Sequence, residues 1–323
     1  MIVGTGGTIA GSSQVPGDNV SYAIGQIDAH DLLATLKPAL AGRLDGFDVL
    51  TEQLAQLDSK DMNERTWVLL AQRVRQLMAD DSVAGVVITH GTDTVEETAY
   101  WLHRVVMPTK PVVLTCAMRP ATALGADGPQ NLVDALTVAS TSDAAGVWVV
   151  AAGAIHHPRW VSKVHPYRLD AFQSLDAGVA GWIEEGRVRW SVAPNWIPPS
   201  PVVSGPLAPP DSWPRVEVLF SHAGASEVML ESVLSGAGQG RPLRGLVVAG
   251  TGNGTVHQAW TGLLKQAQAN GLLIWRTSRC ATGVVVVASD GAEEFPSVEL
   301  PPFKARIEMV LYLMQRDLKL QQV

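Results

Sequence analysis

Two hydrophobic periods run along this chain, and the places where one gives way to the other mark its elements. Val83–Ile88 is an apolar run rich in β-branched residues, which predicts a buried strand. Six small or polar residues, Thr89-His90-Gly91-Thr92-Asp93-Thr94, then interrupt it. Beyond them Val95, Ala99, Leu102 and Val106 fall at helical spacing, so a helix follows with one apolar face. Thr94 and Glu97 stand at the positions of a capping box. The polar stretch thus lies where a parallel strand ends and a helix begins. Open α/β sheets bind ligands at that edge, and the free N–H groups of a helix start can receive an anion there. Taken alone, such a turn is equally an ordinary connection of an α/β domain.

The same alternation recurs on both sides. Upstream, the pattern predicts a helix over His30–Ala41, a strand over Phe47–Thr51, and a helix with Trp67, Leu70, Val74, Leu77 and Met78 on one face. The polar turn Asp58-Ser59-Lys60-Asp61-Met62-Asn63 leads into that helix, and Ser59 is either a cap for it, the commoner use of such a serine, or a ligand contact. Downstream, strands are predicted over Pro111–Ala117 and Gly146–Ala151, separated by the long turn Met118–Leu132, which opens a helix. His156–Pro166 reads as a loop carrying Lys163. Eight prolines lie in Pro194–Pro214, which reads as an extended linker. After it, strands Val216–Phe220, Gly245–Ala249 and Gly271–Trp275 alternate with helical stretches, and Lys304–Met314 is a closing amphipathic helix. The expected architecture is two Rossmann-like or flavodoxin-like α/β domains joined by a Pro-rich linker: residues 1–193, a linker over 194–214, and residues 215–323.

Composition narrows the partners. At 323 residues two domains are the natural count, and 46% hydrophobic with 17% charged residues suits a globular protein with a sizeable core. A net charge of −7 without a long basic run argues against nucleic acid. No apolar stretch has the length of a membrane span. Cys116 and Cys280 lie far apart beside apolar runs and read as buried free thiols. Met1-Ile2-Val3 is a short lead-in for a buried strand, so a trimmed start with a removed leader stays open.

Candidate chemistry gathers at the turns. Gly4-Thr5-Gly6-Gly7-Thr8-Ile9-Ala10-Gly11 is a glycine-rich turn, but the third glycine of a dinucleotide fingerprint is replaced by Ile9. That argues against a Rossmann oxidoreductase and leaves a tight turn presenting the Thr8 hydroxyl. Residues 12–26 form a polar loop whose length without periodicity suggests a lid, with Tyr22 its one aromatic. A lone loop lysine such as Lys163 is usually solvated; a catalytic one needs a carboxylate neighbour and partial burial. The nearby histidines lack the acidic ligand or helical spacing of a zinc site. The turn Gly250-Thr251-Gly252-Asn253-Gly254 either closes a tight connection or presents Asn253 to a ligand.

With these segments in order, the chain resembles the bacterial-type L-asparaginases, nearest the type II sequences. The likeness rests on the Thr8 and Thr92 turns, on residues 58–63, on Ala117-Met118-Arg119-Pro120, on Ala126-Asp127-Gly128-Pro129, on residues 250–254 and on Lys304-Ala305-Arg306, and it spans essentially the whole chain. The resemblance implies hydrolysis of L-asparagine to L-aspartate and ammonia, with weaker glutaminase activity, and no metal or organic cofactor. It implies that Thr8 is the nucleophile, Tyr22 the lid tyrosine, and Thr92, Asp93 and Lys163 a Thr–Lys–Asp set. Ser59 matches the residue holding the substrate α-carboxylate; Lys60 and Gly91 stand in substrate-binding positions; Asn253 matches a residue reaching in from a neighbouring subunit. The implied assembly is a homotetramer built from dimers with shared active sites. Lys60 departs from the pattern, because type II enzymes usually carry a glutamine there, and the family's intersubunit glutamate has no clear counterpart beside Glu293 and Glu294. The absence of the paired cysteines of some periplasmic enzymes favours a cytoplasmic protein, or a periplasmic one if a leader has been removed.

The residues permit a definite chemistry. A threonine hydroxyl attacks well only when a neighbour takes its proton. Two hydroxyls allow attack from one and water positioning by the other, Lys163 is the candidate base, and backbone N–H groups around Thr92 can receive an oxyanion. Rival readings are a tRNA-dependent amidotransferase subunit, which would carry a tRNA-binding segment not seen here, and a non-catalytic sensor of amide amino acids, which should lack a member of the catalytic set.

Overall fold

The computed structural model describes residues 1–15, 17–44, 46–192, 205–236, 240–288 and 293–321. The chain divides into two compact units, Met1–Pro201 and Val202–Val323. Of the proline-rich stretch, residues 194–204 lie outside the described residues.

The first unit contains strands β1 (Ile2–Gly6), β2 (Thr51–Leu57), β3 (Val86–Thr89), β4 (Pro111–Thr115), β5 (Gly146–Ala151), β6 (Ala154–His156), β7 (Ser162–Lys163), β8 (Phe172–Gln173), β9 (Gly181–Glu184) and β10 (Arg187–Trp190). Its helices are α1 (Ala29–Leu40), α2 (Glu64–Met78), α3 (Val95–Val105) and α4 (Gly128–Ala139). Among the described residues one sheet of eight strands runs in the order β10-β9-β6-β5-β4-β3-β1-β2. Its β2-β1-β3-β4-β5 part is parallel, with the strand order of a flavodoxin-like sheet. From β5 onward the chain returns antiparallel through β6 and β9.

Parallel strands joined by helices are covered on both faces and therefore read as continuous apolar runs. Ile2, Val87, Val113 and Val150 pack with Leu32, Leu33 and Leu36 of α1 and Leu132 and Leu136 of α4. The alternate residues Val3, Ile88, Leu114 and Val149 are equally buried. α2 and α3 are locked together by the Trp67–Trp101 stack, with ring centroids 5.6 Å apart. Each indole N–H of that pair is satisfied, Trp67 on Thr98 Oγ1 at 2.9 Å and Trp101 on the Trp67 carbonyl at 3.3 Å. Such a pair adds about 0.5–1.5 kcal/mol beyond its area burial, and it steadies the helix that follows the Thr92 turn.

The second unit carries β11 (Arg215–Phe220), β12 (Leu243–Gly250) and β13 (Leu273–Ser278) in one parallel sheet, with α5 (Glu227–Ser235), α6 (Gln258–Ala269) and α7 (Pro302–Gln321). Leu230 of α5 and Trp260 and Leu264 of α6 pack on Leu246 and Val248 of β12. α7 presses on the same strand at Gly245, where an added Cβ would lie 2.3 Å from Met309 Sδ.

Several expectations move. The strand expected over Phe47–Thr51 begins where that span ends, as β2, because its register with β1 starts with Ile2 opposite Thr51. The strand expected over Gly271–Trp275 starts later, as β13; Gly271 has φ +92° and belongs to the turn. The loop His156–Pro166 contains the end of β6 and all of β7. Cys116 is a buried free thiol as expected, and burial holds its pKa well above the usual range. Cys280 is free but exposed, because it lies in the turn after β13 instead of in the apolar strand.

Candidate active site

Three adjacent parallel strands, β2, β1 and β3, end at one edge of the large sheet, and each hands a polar residue to that edge. Ser59 follows β2, Thr8 follows β1 and Thr92 follows β3. This is the switch point of the 2-1-3-4-5 order, where the connections on either side of β1 diverge and leave a crevice.

The turns after β1 and β3 meet main chain to main chain. Gly7 has φ +82°, and a Cβ there would lie 2.4 Å from Gly91 Cα. A Cβ on Gly91 would lie 2.5 Å from Ser59 Oγ. Thr5 Oγ1 donates to the Thr89 carbonyl at 2.8 Å, tying the two strand ends. Thr8 and Thr92 are therefore buried, at 7% and 6% exposure, in turns that side chains would push apart.

Thr8 Oγ1 and the Tyr22 hydroxyl share a hydrogen bond of 2.7 Å. The loop bearing Tyr22 returns to Thr8 because Ser12 and Ala23 exchange two main-chain hydrogen bonds of 3.0 Å. On the other side, Lys163 Nζ donates to Thr92 Oγ1 at 2.8 Å and to Asp93 Oδ1 at 2.7 Å. Lys163 is the inward partner of that ion pair, its side chain 18% exposed against 54% for Asp93. It is not the solvated loop lysine that its sequence context suggests, because β7 turns it toward the Thr92 turn.

Ser59 Oγ accepts the Asp93 N–H at 3.2 Å, and the Ser59 carbonyl accepts the Thr94 hydroxyl at 2.7 Å. Two expectations are corrected here. Thr94 is the N-cap residue of α3 but makes no side-chain cap bond, because its hydroxyl is spent on Ser59; the expected capping box does not form. Ser59 does not cap α2 either, since Asn63 Oδ1 accepts the Thr66 N–H in that role. Both side chains instead stitch the β2 turn to the β3 turn.

His90 is fully buried under this edge. Its Nδ1 donates to the Gly91 carbonyl at 2.8 Å, which makes Nε2 the unprotonated nitrogen, and Nε2 has no hydrogen-bond partner among the described residues. Desolvation lowers its pKa to about 4, against a smaller upward effect of the Gly91 bond.

Lys60 projects outward, its ammonium paired with the Asp58 and Asp61 carboxylates, and the Asp58 hydrogen bond raises its pKa. Asn253 belongs to the second unit, where its amide bridges both main-chain groups of Val286 at 2.8 Å. Glu293 is bound to Arg276 and Glu294 to Lys265. Among the described residues, a His/Asp/Glu group close enough to hold a metal is Asp28, His30 and Asp31, which is exposed. Sequence reasoning missed Glu96, whose Oε2 accepts the Lys163 N–H at 3.3 Å. Its neighbourhood to Lys163 arises only on folding.

Two family models match, "Asparaginase, N-terminal" over residues 1–196 and "Glutaminase/Asparaginase C-terminal domain" over residues 215–323. The chain belongs to the asparaginase family. Among asparaginase relatives, the chain is 32% identical to the L-asparaginase 2 of Bacillus subtilis (strain 168), covering 97% of this chain and 81% of that protein. It is 35% identical to a probable periplasmic L-asparaginase of Haemophilus influenzae, covering 97% and 88% of the two chains. The crystal structure of a probable cytoplasmic L-asparaginase from Campylobacter jejuni superposes with a TM-score of 0.83 at 35% identity, covering 97% and 94%. Asparaginase relatives thus include proteins described as periplasmic and as cytoplasmic. No helix among the described residues is long and apolar enough to cross a membrane.

Proposed function

We propose that this chain is an L-asparaginase that hydrolyses L-asparagine to L-aspartate and ammonia, with L-glutamine a poorer substrate. The observation that carries the reading is the Lys163 ammonium held between Thr92 Oγ1 and Asp93 at the same sheet edge as the Thr8–Tyr22 pair. Support also comes from relatives named L-asparaginase and from a glutaminase-asparaginase of Pseudomonas fluorescens biotype A at 33% identity.

In the mechanism proposed, Thr8 Oγ attacks the side-chain amide carbon as its proton passes to the Tyr22 hydroxyl, which hands its own proton on toward the amide nitrogen. The tetrahedral intermediate places its oxyanion toward N–H groups at the Thr92 turn. Its collapse expels ammonia, with a proton delivered to the leaving nitrogen, and leaves an ester on Thr8. Thr92, with Lys163 as proton carrier, then directs water onto the ester; a proton taken from the water is returned to Thr8 as aspartate leaves. Asp93 orients the amine. General acid–base help of this kind is worth about 10²–10⁴-fold. Ser59 and Gly91 shape the floor that receives the substrate carboxylate, and Lys60 stands at its rim.

The domain reading is residues 1–193 and 215–323 with 194–214 between them, supported by the two family matches and the two compact units. The assembly proposed is a homotetramer of dimers in which Asn253 serves a neighbour's site. A cytoplasmic location is proposed from the two free cysteines. Ammonia release measured on L-asparagine and L-glutamine tests the activity; no release from either would overturn it.

A further inference from the structure

Lys163 rides on a strand of two residues, Ser162–Lys163, paired among the described residues only with another of two, Phe172–Gln173. A ladder that short has little stability of its own. Its ammonium nevertheless reaches both Thr92 and Asp93 at hydrogen-bond distance. The main chain beneath it is tied elsewhere: the Lys163 N–H donates to Glu96 Oε2 at 3.3 Å. Glu96 is half-buried and is the second residue of α3, the helix that begins directly after Thr92-Asp93-Thr94. The turn that leads into α3 therefore carries two members of the set, and the first turn of that helix carries the carboxylate that holds the backbone of the third.

We propose that Glu96 is a positioning residue for Lys163, fixing the amine at the Thr92 hydroxyl through the Lys163 main chain. The proposal rests on the reading of Lys163 as the proton carrier. In this role Glu96 acts by geometry, through the Lys163 main chain. Its place in the first turn of α3 also favours a negative charge there, but that effect alone would bear on stability and leave turnover by folded enzyme unchanged.

The test compares Glu96→Gln, Glu96→Ala and Glu96→Met with Lys163→Met, each checked for folding by circular dichroism melts and assayed for ammonia release. Glu96→Gln keeps an accepting oxygen and should hold kcat within about twofold of wild type, while Glu96→Ala and Glu96→Met should lose about tenfold in kcat with KM little changed, as for a sub-ångström misplacement of a reacting group. Glu96→Met preserves length should the alanine variant fold poorly. In a Lys163→Met background, Glu96→Ala should add nothing further. Wild-type kcat in both non-accepting variants, with Lys163→Met inactive, would overturn the proposal. So would a Glu96→Gln enzyme as slow as Glu96→Ala, since charge and not the hydrogen bond would then be at work. An active Lys163→Met enzyme would overturn the reading of the lysine itself.

Discussion

Gly7 and Gly91 leave no room for a side chain between them: a Cβ on Gly7 would fall 2.4 Å from Gly91 Cα. The contact brings the turns of Thr8 and Thr92 together, and it makes these two glycines testable separately. Gly7→Ala combines a backbone clash with φ +82° and should destabilise the fold by about 2–4 kcal/mol. Gly91→Ala meets Ser59 Oγ at 2.5 Å and Ser59 Cβ at 2.7 Å, so besides destabilising the fold it should displace Ser59 and raise KM. Urea unfolding and substrate titration of both variants separate the effects; a Gly7→Ala protein as stable as wild type would contradict the packing argument.

The two threonines should be individually indispensable. Thr8→Ala and Thr92→Val are each expected to lower kcat by about 10³-fold or more while leaving the circular dichroism spectrum unchanged, because neither removes a core contact of any size. Rapid-quench trapping should capture an ester in Thr92→Val and none in Thr8→Ala. An ester trapped only in the Thr8 variant would reverse the roles.

Acid should weaken the fold through two buried histidines. Burial lowers the pKa of His90 to about 4, and burial followed by the charges of Arg104 and Arg159 does the same for His103. Both are neutral in the folded state, whereas the unfolded chain protonates them below about 6.5. The unfolded state thus binds more protons between pH 6.5 and 4, and stability must fall as pH drops through that window, by on the order of 3 kcal/mol per histidine when complete. Denaturant midpoints measured from pH 7 to 4.5 should show the loss, and His103→Phe should flatten the curve. An unchanged slope in that variant would exclude His103 as a contributor.

Sharing of sites between subunits is open to complementation. Thr8→Ala and Asn253→Ala subunits, each inactive alone, should recover activity when co-expressed, since a hybrid dimer would hold one site with both groups intact. Asn253 also bridges Val286, so the second variant must first be shown to fold. Full activity in an isolated monomer, with no recovery in verified hybrids, would rule out a shared site.

Much of this was legible in the linear chain. β-branched runs at Val86–Thr89, Pro111–Thr115 and Gly146–Ala151 cannot be exposed, and alternating them with amphipathic helices leaves a doubly covered parallel sheet as the outcome. Thr8, Thr92 and Lys163 could be singled out because hydroxyls and a lysine at strand ends are poor core residues and, in that order, match a family. Boundaries and partners were not legible in the same way. β2 begins at Thr51 because its register is set by β1, a strand nearly fifty residues away, and local propensity at Phe47–Thr51 carries no trace of that pairing. Thr94 looks like a cap in sequence and becomes a cross-turn tie because Ser59 arrives beside it from another strand. Cys280 follows an apolar strand yet lies exposed in the turn beyond it. The Glu96–Lys163 contact joins residues with no pattern in common, because a side chain's nearest neighbours across a sheet edge depend on strand order. Hydrophobic period and turn chemistry are properties of a few consecutive residues, so the sequence by itself determined most elements, the fold class and the candidates for the reacting groups; strand order and register decided which of those residues meet.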